Sequence, residues 1–268
     1  MSAPGFMAAK VENYIRQRRA LGWQLMVEGR ELATFEPGTA IASRGLLGPA
    51  HQRVRPYIYS DREVIRIMEE ASRLPSPNGF RALTYRTLIG LLASTGIRVC
   101  EALKLDSGDL DTGTGILTVR DTKFHKSLLV PLHETVTTTL ANYVVERNRI
   151  IPHPVCPRLF LSMRGRPLLH SVVQYTFSKL RTNVTFEGTG RLPPRLYDLR
   201  HTFATRKLLE WSSNGTEVEN AITRLSVYLG HVKPSDTYWY LTGIPELLAV
   251  AVARFKASSC TIVARDLP

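Results

Sequence analysis

The chain has 268 residues, 44% of them hydrophobic, enough for one large domain or two modest ones with a real core. Against 23 Asp and Glu stand 35 Lys and Arg, a net charge of +12 spread along the whole chain, and such a surface points to a polyanionic partner, most often nucleic acid. Three scattered cysteines without a CxxC pair argue against a zinc site and fit a reducing compartment, and the absence of a signal-like or membrane-length apolar run leads us to expect a cytosolic protein, in a bacterium the cytosol and nucleoid.

Residues 8–34 carry a helical pattern, with Val11, Tyr14, Ile15, Leu21, Trp23, Leu25 and Met26 set among charges. Residues 36–56 break up at Pro37, Gly38, Gly45, Gly48, Pro49 and Pro56, which places a domain boundary near Arg55–Pro56. Ser60 and Glu63 have capping-box spacing, and Val64, Ile65, Ile67 and Met68 follow as an apolar stripe. A long helix from about Phe80 to Ala93 runs into a turn at Thr95–Gly96, where another helix carries Arg98. Residues 106–115 read as a polar, glycine-rich loop. Two strands follow at 116–120 and 127–132, joined by Lys123-Phe124-His125-Lys126. Residues 159–161 offer a further short strand. Helices are expected at 133–149, 170–184, 197–211, 216–229 and 235–255, with breaks inside the last. The fold class is mainly α with a small antiparallel β-sheet.

Arg98 opens its helix, where free N–H groups and the helix dipole favour an anion. Taken alone, that segment also reads as an exposed helix arginine. Arg200 sits beside Leu199, Phe203 and Ala204, so if buried it needs an anion, either a ligand phosphate or a core carboxylate. His201 faces another side of the helix and reads as a packed scaffold histidine. His231 follows Leu229–Gly230 at a helix end. Tyr238, Trp239 and Tyr240 are consecutive, so only one can enter a given site, and core packing is the alternative for each. Lys123 lies in a β-turn, where a lysine is usually solvated. Asp106, Asp109 and Asp111 read as a solvated turn rather than a metal cluster, and there is no P-loop, HExxH or dinucleotide-binding glycine pattern.

Together these segments resemble the tyrosine recombinase, or phage integrase, family over roughly residues 57–256. Thr95-Gly96-Ile97-Arg98-Val99-Cys100-Glu101-Ala102-Leu103 is similar to the first arginine motif. Asp198-Leu199-Arg200-His201-Thr202-Phe203-Ala204-Thr205 is similar to the second, Leu229-Gly230-His231 to the histidine box that follows it, Lys123 to the hairpin lysine, and Tyr240 stands at the nucleophile's spacing. The resemblance implies a tyrosine recombinase catalytic-domain fold over residues 56–268. It implies that Tyr240 attacks a scissile phosphate of double-stranded DNA and leaves a 3′-phosphotyrosyl link. Arg98 and Arg200 would hold the non-bridging oxygens, His231 would hydrogen-bond the phosphate, and Lys123 would protonate the leaving 5′-oxygen. Neither metal nor other cofactor is implied, and recombination would take a homo-tetramer on two duplexes.

Two departures alter what the resemblance implies. The family usually has a histidine, sometimes a lysine, three residues before the second arginine, and here that residue is Tyr197. A phenol can donate a hydrogen bond to phosphate, but a pKa of about 10 makes it a poor base at neutral pH. Residues 1–55 read as a shortened remnant of the helical domain that closes the family's clamp on DNA. Pro245–Phe255 reads as a helix apolar on most sides, docked either on a neighbouring protomer or in cis. The main reading is a site-specific recombinase or integrase of a mobile element. A catalytically weak DNA-binding relative and a type IB topoisomerase-like strand transferase remain the alternatives.

Overall fold

The computed structural model describes residues 56–121, 127–187 and 193–230, together with Thr237. They belong to the second of two units, Met1–Arg53 and Val54–Pro268. The helix read at 8–34, the hairpin connector with Lys123, His231 and Tyr240 lie outside the described residues, as does the helix read at 235–255 apart from Thr237.

The described chain enters along an extended stretch and turns into helix α1, Asp61–Ser72. Its capping box forms as the spacing requires: Glu63 N–H donates to Ser60 Oγ at 3.2 Å, and Ser60 N–H donates to the Glu63 carboxylate at 2.7 Å. Glu63 also accepts Tyr57 Oη–H at 2.6 Å and Glu187 N–H at 2.9 Å, so one buried carboxylate joins three segments. Of the expected apolar stripe, Val64 and Ile67 are buried and Met68 half-buried, but Ile65 faces solvent at 54% exposure. A fourth apolar residue in five widens the stripe past the face that α1 turns inward.

Helix α2, Phe80–Thr95, is the axis of the fold. It is apolar on most sides and accordingly buried on most sides, with Leu88, Ile89, Leu91 and Leu92 all at 2% exposure or less. It packs against α1, against α4 (Glu134–Ile150) and against α6 (Asp198–Ser213). Along the chain, α2 and α4 are separated by α3 (Val99–Lys104), a 3₁₀ turn (Ser107–Asp109) and an antiparallel sheet of β1 (Leu110–Asp111), β2 (Ile116–Val119) and β3 (Leu128–Pro131). Leu117 pairs with Val130 and Thr118 with Leu129; the first pair is buried, and Leu129 is 63% exposed, so the sheet is covered on one face. Helix α5 (His170–Leu180) gives way to a 3₁₀ turn at Arg181–Asn183, shorter than the expected helix to 184, and α7 (Val218–Tyr228) follows α6.

The stretch 106–115 corrects the loop reading, because it contains that 3₁₀ turn and β1. Asp109 is buried, not solvated: its carboxylate takes Arg120 Nε at 2.5 Å and Asp106 N–H at 2.9 Å. Asp106 pairs with Arg158 at 2.9 Å. Asp111 alone keeps the turn role, accepting the N–H groups of Gly113 and Thr114. Leu159–Leu161 is buried in the core but makes only isolated bridges at its ends, Asp106 with Arg158 and Leu161 with Pro167, so no third long strand forms there. Among the described residues no helix is long and apolar enough to cross a membrane.

Candidate active site

The site is built around the corner where α2 ends. Thr95 Oγ1 donates to Leu91 O at 2.6 Å, and Gly96 closes the helix with φ +65° and an N–H bond to Leu92 O at 3.0 Å. Left-handed backbone favours glycine on its own account. Here space demands it as well: a Cβ on Gly96 would lie 2.4 Å from Phe203 Cδ1. Helix α6 therefore presses directly on the corner.

Two residues on, Arg98 caps α3 in extended conformation. Glu101, one turn into the helix, accepts the Arg98 backbone N–H at 2.9 Å and its Nη1 at 2.7 Å. This ion pair is partly shielded, with side-chain exposures of 21% and 8%. It fixes one side of a five-donor fork, and no other acceptor among the described residues takes the rest. Arg98 is thus neither buried nor a freely solvated helix arginine. Glu101 stands in the first arginine motif, but its sequence position gave no sign that it would orient the guanidinium.

Arg200 comes from the first turns of α6 and is 3% exposed. Its Nη1 donates to Gly96 O and its Nη2 to Leu229 O, both at 2.8 Å. One buried guanidinium thereby ties together two chain segments remote in sequence: the turn leading to Arg98, and the residue two before His231. The end of α7 is shaped to meet it. Leu229 N–H bonds Leu225 O at 2.8 Å, and Gly230 then adopts φ +65°. Tyr228 reinforces the same junction, stacking on Phe203 at 5.4 Å and donating its hydroxyl to Thr95 O at 3.1 Å. Burial pushes its phenol up to about 12, against the pull of Arg200. Nothing in the sequence separated Tyr228 from an ordinary core aromatic.

Tyr197 stands at the N-cap of α6 and is 41% exposed. Its ring meets the His201 ring edge-on at 5.0 Å. His201 is buried, as its scaffold reading requires, and burial pushes its imidazole down to about 4 although Asp198 pulls the other way. Asp198 anchors the start of the helix by accepting Arg195 N–H and Arg195 Nη2, each at 2.8 Å. The helix is also sewn to the extended stretch before α1: Tyr59 N–H donates to Thr202 Oγ1 at 2.9 Å, and Arg206 Nη2 donates to Tyr59 O at 2.8 Å.

Of the sequence-derived site residues, the structure joins the Arg98 turn, Arg200 and the approach to His231, with Tyr197 one turn before Arg200 on the same helix. Lys123, His231 and Tyr240 themselves lie outside the described residues, and of the connector the structure gives only its two ends, Asp121 and Ser127.

A mainly helical domain with a three-stranded antiparallel sheet and two arginine motifs joined at one corner is the catalytic-domain fold of tyrosine recombinases. The chain belongs to the phage integrase family, a class of enzymes that cut and rejoin DNA; residues 59–243 match that family's model. A putative integrase/recombinase, y4rB, of Sinorhizobium fredii is 38% identical over 235 residues, covering 86% of this chain and 75% of that one. Tyrosine recombinase XerD of Staphylococcus saprophyticus is 32% identical over 195 residues, 72% of this chain and 60% of its own length. Among solved structures, XerA recombinase shares the fold with a TM-score of 0.59 at 22% identity, over 95% of this chain and 85% of that one. A lambda integrase dimer bound to a COC′ core site does so with a TM-score of 0.55 at 20% identity, over 89% of this chain and 64% of that one.

Proposed function

We propose that this protein is a site-specific recombinase that cuts and rejoins double-stranded DNA through a covalent bond to Tyr240. The Tyr240 hydroxyl oxygen attacks the scissile phosphorus, the bond to the 5′-oxygen breaks, and a 3′-phosphotyrosyl link remains. Arg98 and Arg200 hold the non-bridging oxygens and offset the charge that builds up in the pentacoordinate transition state. His231 hydrogen-bonds the same phosphate, and Lys123 delivers a proton to the leaving 5′-oxygen. The covalent link keeps the energy of the broken ester, so the cycle requires neither metal nor ATP. Residues 56–268 form the catalytic domain, residues 1–55 contribute to the clamp on DNA, and Pro245–Phe255 links protomers into a tetramer on two duplexes.

The single observation that carries this reading is the double anchoring of Arg200, whose fork binds Gly96 O and Leu229 O at once. Gly96 of the first motif and Leu229 of the third are held by Arg200 of the second, and along the chain Arg98 follows the first carbonyl by two residues and His231 the second by two. The net charge of +12 supports a DNA partner. The half-exposed phenol of Tyr197, in place of an imidazole, favours a second reading in which the chemical step is slow and DNA binding dominates. A DNA substrate nicked next to the cleavage position, so that the 5′-product diffuses away, separates the two. The first reading expects a covalent protein–DNA adduct that Tyr240→Phe abolishes. Tight DNA binding with no adduct from the unaltered protein would establish the second.

A further inference from the structure

Away from the arginine corner, a cavity of about 540 Å³ opens between α1, α2 and α4. Met68, Leu83, Leu91, Val136, Leu140 and Tyr143 give it an apolar interior. Its size is that of a site for a small organic molecule. Three charged side chains reach its wall, and they differ in what they already hold. Arg206 gives Nη2 to Tyr59 O at 2.8 Å and Nη1 to Asp61 at 2.6 Å. Glu146 is taken up by Arg149 at 2.8 Å. Arg86 is exposed and has no hydrogen bond or ion pair among the described residues. An apolar chamber with one uncommitted guanidinium at its edge matches a molecule with an apolar body and a single anionic group.

We propose that this cavity is a binding site for a small amphipathic anion, its apolar part in the chamber and its carboxylate or sulfonate on Arg86, and that the occupant acts on the arginine corner. The route is short. Ala93 and Ser94 line the cavity and belong to the last turn of α2, directly before Thr95 and the Gly96 carbonyl that holds Arg200. Arg206 lines it too, on the same helix as Arg200, and fixes that helix to Tyr59. An occupant therefore touches both elements whose relative position sets the Arg200 fork. The binding part stands on the cavity alone; the effect on cleavage rests on the recombinase reading.

The test uses the full chain and 8-anilinonaphthalene-1-sulfonate, an apolar aromatic body with one sulfonate, followed by its fluorescence. Saturable binding to one site is expected. Arg86→Gln should weaken it roughly tenfold, the usual order for one charge-assisted contact. Thr139→Trp, at an exposed position of the wall, should fill the chamber and remove binding. Arg62→Gln, an exposed arginine of α1 outside the cavity, should change nothing. N-phenyl-1-naphthylamine, the same body without the sulfonate, should bind roughly tenfold more weakly than the sulfonate. Equal binding of the two dyes, or binding indifferent to Arg86→Gln and Thr139→Trp, overturns the site. At saturation the dye should slow adduct formation on the nicked DNA in the unaltered protein and not in Thr139→Trp. Binding as described with an unchanged adduct rate overturns the coupling. No adduct even without dye is a failure of the recombinase reading, and the binding results then decide the site by themselves.

Discussion

Replacing Gly96 with alanine tests how the corner is built. Two costs follow from the geometry. The backbone sits at φ +65°, and placing an L side chain there costs about 1–2 kcal/mol. The new Cβ would stand 2.4 Å from Phe203 Cδ1 and 2.8 Å from Cγ, so α6 must move or Phe203 must leave its rotamer. Overpacking of that kind costs about 1–3 kcal/mol. The sum is roughly 2–5 kcal/mol, a large part of the 5–15 kcal/mol that a domain commands, and should lower Tm by about 5–15 °C for a unit of this size. Gly79→Ala is the control: its φ is +71°, but no atom lies within 4 Å of its added Cβ, so it bears the backbone cost without the clash. Urea unfolding of the two variants separates the terms. Phe203→Leu in the Gly96→Ala background should recover part of the loss, a coupling of opposite sign to simple addition. If Gly96→Ala costs no more than Gly79→Ala, the tight approach of α6 to the corner is wrong, and with it the account of why Arg200 reaches Gly96 O.

Four further outcomes are expected. Arg200→Lys cannot reach both Gly96 O and Leu229 O from one nitrogen, so it should cost about 1–3 kcal/mol in urea unfolding and remove adduct formation even where the protein remains folded. Arg98→Ala should slow cleavage by roughly 10²–10³ while DNA affinity, read by gel shift, falls far less; equal losses would deny it a role specific to the transition state. Folded His201 takes up its proton only near pH 4, whereas in the unfolded chain it does so near 6.5, so stability should be unaffected above pH 6.5 and fall as pH drops toward 4, by about 3 kcal/mol in all; His201→Phe should flatten that part of the pH–stability curve. Cleavage should be indifferent to EDTA, while DNA binding should weaken steeply as salt rises from 50 to 200 mM, as expected of about six or more phosphate contacts.

The helices announced themselves by period and by caps. Ser60 and Glu63 predicted the start of α1 because a capping box uses only residues three apart, and Gly96 and Gly230 marked helix ends because left-handed backbone is a local requirement. The family motifs then located Arg98 and Arg200. What escaped the sequence depends on contacts between distant segments. Asp109 looked like a turn carboxylate until Arg120 folded back onto it across the β1–β2 hairpin. Tyr228 and Glu101 became part of the site only once α7 met Thr95 and α3 curled back on its own cap. Ile65 failed for a related reason: periodicity gives the centre of a buried face but not its width, which the neighbouring helix sets. The cavity beside Arg86 had no sequence signal at all, being a gap lined from four helices.

The proposed reaction turns on one phenol, Tyr240, becoming bonded to DNA phosphorus. The direct measurement is to trap the protein on the nicked duplex, digest protein and DNA, and find by mass spectrometry which peptide carries the nucleotide. A nucleotide on Tyr240, joined through its 3′-phosphate, is expected. A nucleotide on Tyr238 or on any other residue, or attachment through a 5′-phosphate, would contradict it.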